Sequence, residues 1–194
     1  MIPYFENVLQ VLSSSLSSID AAKFDLLVDM CIETLRAGHK IVVSGLGKNV
    51  PVCDKFVGSM LSLGLRASFM HTNTAIHGDI GMVEDGDLVI VLSKSGETVE
   101  SIHLTKYLQQ RNITLWLLSF RENSTLAKIV HHSLILDISH EGDLWNIMPN
   151  NSTTLNLIVL QGIVQEIARK MELPLLAFKR NHPGGFIGEQ LKNV

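Results

Sequence analysis

The sequence predicts an α/β fold with a mostly parallel sheet covered by helices on both faces. Three observations carry that expectation. Five short segments rich in β-branched and aliphatic residues recur along the chain, at 40–44, 67–71, 88–93, 113–119 and 133–138. Several are continuous apolar runs, Leu88-Val89-Ile90-Val91-Leu92 above all, as suits strands buried on both faces. Helix-spaced stretches separate them, and strand–helix alternation joins parallel neighbours through crossovers.

Taken in order, 5–17 and 21–37 read as two helices, the second ended by Gly38, and strand 40–44 follows. The next helix, 49–63, carries Val52, Phe56, Met60 and Leu63 at helical spacing. After strands 67–71 and 88–93 comes helix 99–111, with Ile102, Leu104, Tyr107 and Leu108 among polar residues. Strands 113–119 and 133–138 precede a long amphipathic helix, 152–172, whose apolar face holds Leu155, Ile158, Val159, Gly162, Ile163, Ile167 and Ala168. Pro183-Gly184-Gly185 breaks the chain near its C-terminus. There is no repeat and no linker, and 194 residues fit a single domain, 1–194, with the helices of 1–38 packed on its core.

Composition narrows the function. Sixteen Lys+Arg against nineteen Asp+Glu give a net charge of −3, so no broad positive field exists to hold nucleic acid. Charged residues are 18% and apolar residues 46%, which points to surface covered by a copy of the same chain. Cys31 and Cys53 form no ligand-spaced pair and read as free thiols. The N-terminus lacks a basic and apolar leader, and the uncharged run 144–165 is interrupted by Pro149, Asn150 and Asn151, so neither a secretory signal nor a membrane span is expected. The expected location is the cytoplasm.

In a doubly wound sheet, ligands bind beyond the carboxyl ends of the strands, so the strand-to-helix loops hold the candidate chemistry. Ser44-Gly45-Leu46-Gly47-Lys48-Asn49 lacks the third glycine of a dinucleotide loop, where Val50 stands, and the Ser or Thr of a P-loop, where Asn49 stands. It offers instead a cation, Lys48, beside exposed backbone amides. Ser93-Lys94-Ser95-Gly96-Glu97-Thr98 follows the most apolar strand and opens a helix. Three hydroxyls and free amides at a helix N-terminus suit a monoester phosphate, whereas simple capping would account for one hydroxyl. In the third loop, Glu141 stands just past a strand end, where an acid or base would face a ligand, and Ser152-Thr153-Thr154 read as a helix cap. His77-Gly78-Asp79 and His182-Pro183-Gly184-Gly185 complete the polar features. No HxxH, HExxH or Cys/His pairing appears, so no metal and no cofactor are expected, although His71, His77 and Asp79 could bind a metal adventitiously.

Together, Gly45-Leu46-Gly47-Lys48, His77-Gly78-Asp79 with Gly81-Met82-Val83, Ser93-Lys94-Ser95-Gly96-Glu97 with Glu100, Glu141 ahead of Pro149 and Ser152-Thr153-Thr154, and His182-Pro183-Gly184-Gly185 resemble the sugar isomerase (SIS) domain family. Within it, the chain is similar to the D-arabinose-5-phosphate isomerases. The resemblance implies a three-layer αβα sandwich with a five-stranded parallel sheet, a homotetramer, and an aldose–ketose isomerase interconverting D-ribulose 5-phosphate and D-arabinose 5-phosphate for Kdo synthesis, which serves lipopolysaccharide and some capsules. It places catalytic roles on Lys48, Glu100, Glu141 and His182, and substrate or phosphate contacts on Ser44, Gly45, Ser93, Ser95, Thr98 and His77. Some family members bind CMP-Kdo as a feedback inhibitor, which adds a second expected ligand. Three departures stand out: no pair of CBS domains follows the HPGG segment, Asn49-Val50 replaces the commoner Ser-Gly, and Lys94 occupies a position that is often Asn.

Isomerisation through an enediol needs a base at neighbouring carbons and an acid or dipole at the oxygens, but no redox cofactor. The expected roles are proton transfer by Glu141, ring opening or oxygen protonation by His182, oxyanion stabilisation by Lys48 and orientation by Glu100. The competing expectations are another phosphosugar isomerase, acting on a hexulose or heptulose phosphate, and a non-catalytic module that senses sugar phosphates.

Overall fold

The computed structural model describes residues 2–192. Two helices, α1 (Pro3–Ser17) and α2 (Ala21–Arg36), lead into β1 (Ile41–Gly45). The chain continues through α3 (Val50–Ser62), β2 (Ala67–His71), the single turn α4 (Thr72–Ala75), β3 (Leu88–Leu92), α5 (Val99–Leu108), β4 (Thr114–Ser119), α6 (Thr125–Ile129) and β5 (His132–Ile135). It ends in α7 (Asn151–Lys170), α8 (Leu175–Arg180) and α9 (Gly185–Gln190). All five strands are parallel, in the order β2-β1-β3-β4-β5.

The alternation of side chains across each strand sorts the apolar residues onto two faces. Ile41, Val43, Ile90, Leu92, Trp116, Leu118 and Leu134 pack under α2, α3 and α7. Val42, Val89, Val91, Leu115 and Leu117 pack with Ala75 of α4, Leu104 and Leu108 of α5, and Leu126 of α6 on the other face. β3 is buried along its whole length, as its uninterrupted apolar run requires. The expected α/β doubly wound, three-layer αβα architecture with a five-stranded parallel sheet is therefore present.

Boundaries differ where turn chemistry outweighs apolar pattern. β5 ends at Ile135, short of the expected 138, and α5 ends at Leu108, short of 111. The short helices α4, α6, α8 and α9 add to the expected set, because each is too brief to show a 3.6-residue period in the sequence. Cys31 and Cys53 are both buried free thiols. Burial, with Asp54 adding to it, pushes the Cys53 thiol up to about 12.

The order reverses at β1: one crossover leads outward to β2, and the next returns to β3 on its other side. That switch parts the loops leaving β1 and β3 and opens a crevice at their carboxyl ends.

Candidate active site

Beyond β1 the chain turns tightly. A Cβ at Gly45 would lie 2.9 Å from the Cβ of Asn49 and 3.0 Å from the Sγ of Cys53, so only glycine lets α3 start so close to the strand. A 3₁₀ turn at Gly47–Asn49 follows and leaves Lys48 exposed at the rim. Asn49 accepts a hydrogen bond at its Oδ1 from Asn156 Nδ2 of α7, at 3.0 Å. The departure at Asn49 thus has a mate on α7, and the pair anchors the Lys48 turn. Ser44 is fully buried, its hydroxyl 3.1 Å from that of Thr72 at the start of α4.

The β3 loop is folded by its own hydroxyls. Ser93 Oγ accepts from Gly96 N at 3.1 Å and lies 3.1 Å from Thr98 Oγ1, while Ser95 Oγ accepts from Glu97 N at 3.1 Å. Thr98 occupies the N-cap position of α5 without a side-chain bond to the helix. The hydroxyls therefore shape the loop, and the positive end of α5 receives no side-chain cap. Gly96 has φ +65°, and a Cβ there would collide with the side chain of Ser124. Glu97 reaches across to α6, accepting from Thr125 N and Thr125 Oγ1, each at 2.7 Å. These two bonds hold its carboxyl below the ordinary carboxylate range.

The third loop centres on Glu141, only 1% exposed. Its Oε2 accepts from the amides of Asn150, at 3.0 Å, and Ser152, at 2.9 Å, and its Oε1 accepts from Ser152 Oγ at 2.7 Å and pairs with Lys94 Nζ. The carboxylate thus caps α7, whose own N-cap residue Asn150 makes no side-chain cap bond. Burial alone would raise the Glu141 pKa, and is the largest single influence, but Lys94 with the amide and hydroxyl of Ser152 outweighs it and holds the group below its ordinary value.

Two adjoining hollows meet at this point. One, of about 430 Å³, is lined by Lys48, Ser93, Lys94, Ser95, Thr98 and Pro149, among others. The other, of about 490 Å³, is lined by Lys94, Ser95, Arg121, His140 and Glu141, among others. Lys94 and Ser95 form the wall they share. The structure thus gathers Lys48, Ser93, Ser95, Thr98 and Glu141 around one crevice. Gly45 and Ser44 lie just behind it, as packing residues of β1.

Glu100 is exposed on the first turn of α5, and His77 is exposed in the turn after α4; neither lines the two hollows. His182 stands at the opposite end of the domain. Its neighbour Asn181 donates through Nδ2 to Ser62 O, at 3.3 Å, at the C-terminal end of α3. The thirteen residues of α3 span about 20 Å, which separates His182 from Lys48 within one chain. The His182 ring stacks on Phe178 with centroids 4.0 Å apart, its Nδ1 2.8 Å from Phe178 O.

Sequence pattern does not reveal the partners of Glu141. Ser152 reads as a helix cap, yet its hydroxyl serves the carboxylate, and Lys94 stands out only as a departure. The available signal is the pairing of an unusual cation in one loop with a carboxylate in another.

A doubly wound sheet with hydroxyls and an uncapped helix N-terminus at its switch point, and a buried carboxylate beside them, belongs to the α/β proteins whose ligand crevice lies at the strand ends. The family is defined more closely by comparison. Residues 34–164 match the model of the SIS domain, and the chain belongs to that family. It is 29% identical over 186 residues to "Arabinose 5-phosphate isomerase KdsD" of Yersinia pestis, covering 96% of this chain and 57% of the relative. It is 32% identical over 183 residues to "Arabinose 5-phosphate isomerase KpsF" of Escherichia coli, covering 94% and 56%. A Helicobacter pylori protein of unassigned activity is 34% identical over 167 residues, covering 86% and 51%. The chain spans about half the length of these curated relatives. Among solved structures, a protein of E. coli CFT073 in complex with arabinose 5-phosphate superposes with a TM-score of 0.86 at 26% identity, covering 93% of this chain and 94% of that one.

Proposed function

We propose that this chain is an aldose–ketose isomerase that interconverts D-ribulose 5-phosphate and D-arabinose 5-phosphate through an enediol. The observation that carries the reading is the joining of Glu141 to the Ser93–Thr98 loop through Lys94, beside Lys48. An anion cradle alone would serve a sensor; a buried carboxylate at its edge suits proton transfer as well. The similarity to relatives named as arabinose 5-phosphate isomerases, and to a structure solved with arabinose 5-phosphate, supports this substrate over a six- or seven-carbon phosphosugar.

The amides at the start of α5, with Ser93, Ser95 and Thr98, receive the phosphate. Glu141 takes the proton from one of the two carbons that exchange the carbonyl and returns it to the other. Lys48 stabilises the oxygen that gains charge between these events. Glu100 orients the substrate from the α5 side. His182 protonates the sugar oxygens, and its place about 20 Å along α3 requires it to be supplied by a second copy of the chain. The homotetramer, the contacts of His77 and a response to CMP-Kdo belong to the same proposal, as does supply of Kdo synthesis from the cytoplasm.

The test is a coupled assay over ribulose 5-phosphate, arabinose 5-phosphate and a hexulose 6-phosphate, each with and without EDTA. The reading predicts the highest kcat/KM for the five-carbon pair, unchanged by EDTA. A higher value for the hexulose would replace it with the alternative isomerase, and binding without turnover would replace it with the sensor.

A further inference from the structure

Glu141 holds four donors, and three of them are tethered closely to the α7 N-terminus: two are its backbone amides and one is the short, buried side chain of Ser152. The fourth, Lys94, differs in kind. Its ammonium sits on a long flexible stem, its side chain is 41% exposed against 1% for Glu141, and it lines both hollows at once. With Lys94 in place, Oε1 is doubly engaged and has no free lone pair directed at a substrate carbon. A phosphate seated between Ser93, Ser95 and Thr98 would lie in the hollow that Lys94 already lines, offering the ammonium a dianion in place of a monoanion.

We propose that Lys94 exchanges partners: it pairs with Glu141 in the free protein and moves to the phosphate of the bound sugar, releasing Oε1 to act as the base. This rests on the phosphosugar-isomerase reading, and adds that the substrate's phosphate, remote from the reacting carbons, switches on the group that attacks them. No bond is made or broken in the exchange; one ion pair replaces another.

The remaining charged neighbours do not substitute for Lys94. His140 directs Nδ1 to the Gly142 amide, from which it accepts at 2.8 Å, and Asp143 accepts from the amides of Trp145 and Ile147. Arg121 and Asp137 line the hollow on the Glu141 side, and Lys48 stands across the other. From α7, among the described residues, Glu141 meets no charged side chain but receives the positive end of the helix.

The experiment follows the Glu141 carboxyl by NMR in full-length protein labelled with carboxyl-¹³C glutamate, the signal being assigned by its loss in Glu141→Gln. Titrations are run with and without sulfate, a dianion across the whole carboxylate range that stands in for the sugar's phosphate group, in wild type, Lys94→Gln and Lys94→Arg. Departure of a cation from a carboxylate raises its pKa by about one unit or more. Sulfate should therefore shift the wild-type titration upward by at least about that amount. Lys94→Gln should titrate high from the outset and shift less than wild type, since only direct repulsion by the anion remains, and Lys94→Arg should restore the full response. A wild-type titration indifferent to sulfate, or a Lys94→Gln protein that responds as wild type does, would overturn the proposal. The readout needs no turnover: a protein that shows the shift but converts no phosphosugar refutes the isomerase assignment and leaves the exchange standing.

Discussion

At the scale of the residue, Glu141 is a structural carboxylate first, and the proposed base second. It closes the N-terminus of α7 through the Asn150 and Ser152 amides and meets the Ser93–Thr98 loop through Lys94. Folding lowers its pKa, so its contribution to stability is present above the ordinary carboxylate range and is lost as pH falls through the depressed folded value. Urea unfolding at pH 7 should therefore show Glu141→Gln less stable than wild type, and the gap should narrow as pH falls to about 4 and below, where the unfolded and then the folded wild-type side chain protonates. A gap that is constant across that range would remove the ionised carboxylate from the account of stability. Glu141 is legible in the sequence because an acid stands just past an apolar strand. Its pairing with Lys94 is not, because the two loops are far apart in the chain and only the sheet order brings them together.

At the scale of the element, the Ser93–Thr98 loop is held from two sides. Lys94 O accepts from Phe120 N at 3.2 Å and from Ser119 Oγ at 3.2 Å, and Gly96 O accepts from Leu126 N at 3.0 Å. With the two Glu97–Thr125 bonds, the β3 loop and the β4–α6 segment form one unit. Gly96→Ala would place a Cβ in left-handed backbone and against Ser124. The combined strain and overpacking should cost about 2 kcal/mol or more. Thermal unfolding should then fall by about 4–8 °C, with a larger proportional loss of phosphate affinity; an unchanged Tm would show that the loop is not pinned as described. Five strands and five long helices are readable because each is long or apolar enough to display its period. α6 is not: its role is to present Thr125 to Glu97, and so short a helix leaves no periodic trace.

At the scale of the whole molecule, large apolar side chains are exposed at both ends of the domain. Leu144, Trp145 and Ile147 project from the loop that follows Glu141, at 91%, 68% and 75% exposure. Leu176 and Phe186 flank His182 at 68% and 77%. Contiguous exposed apolar side chains of this kind mark surfaces that another molecule can cover. Among the described residues, no helix is long and apolar enough to cross a membrane. In the proposed oligomer, His182 reaches the crevice from a second copy, since about 20 Å of α3 separates it from Lys48 within one chain. Glu141→Gln and His182→Ala proteins, each impaired alone, should then recover part of their activity when unfolded together and reassembled, because mixed oligomers contain intact composite sites. Absence of recovery would place His182 outside the reaction. The low overall charge, unsuited to polyanions, fits the proposed site, in which one phosphate would meet amides, hydroxyls and two lysines. If Glu141, beside the phosphate loop, isomerises a five-carbon phosphosugar, NMR of D-arabinose 5-phosphate incubated with wild type and with Glu141→Gln shows it most directly. Signals of D-ribulose 5-phosphate should grow to equilibrium with wild type and at least about 10²-fold more slowly with Glu141→Gln, with phosphosugar binding retained in both. No ribulose 5-phosphate from the wild-type protein, or equal rates for the two proteins, would contradict it.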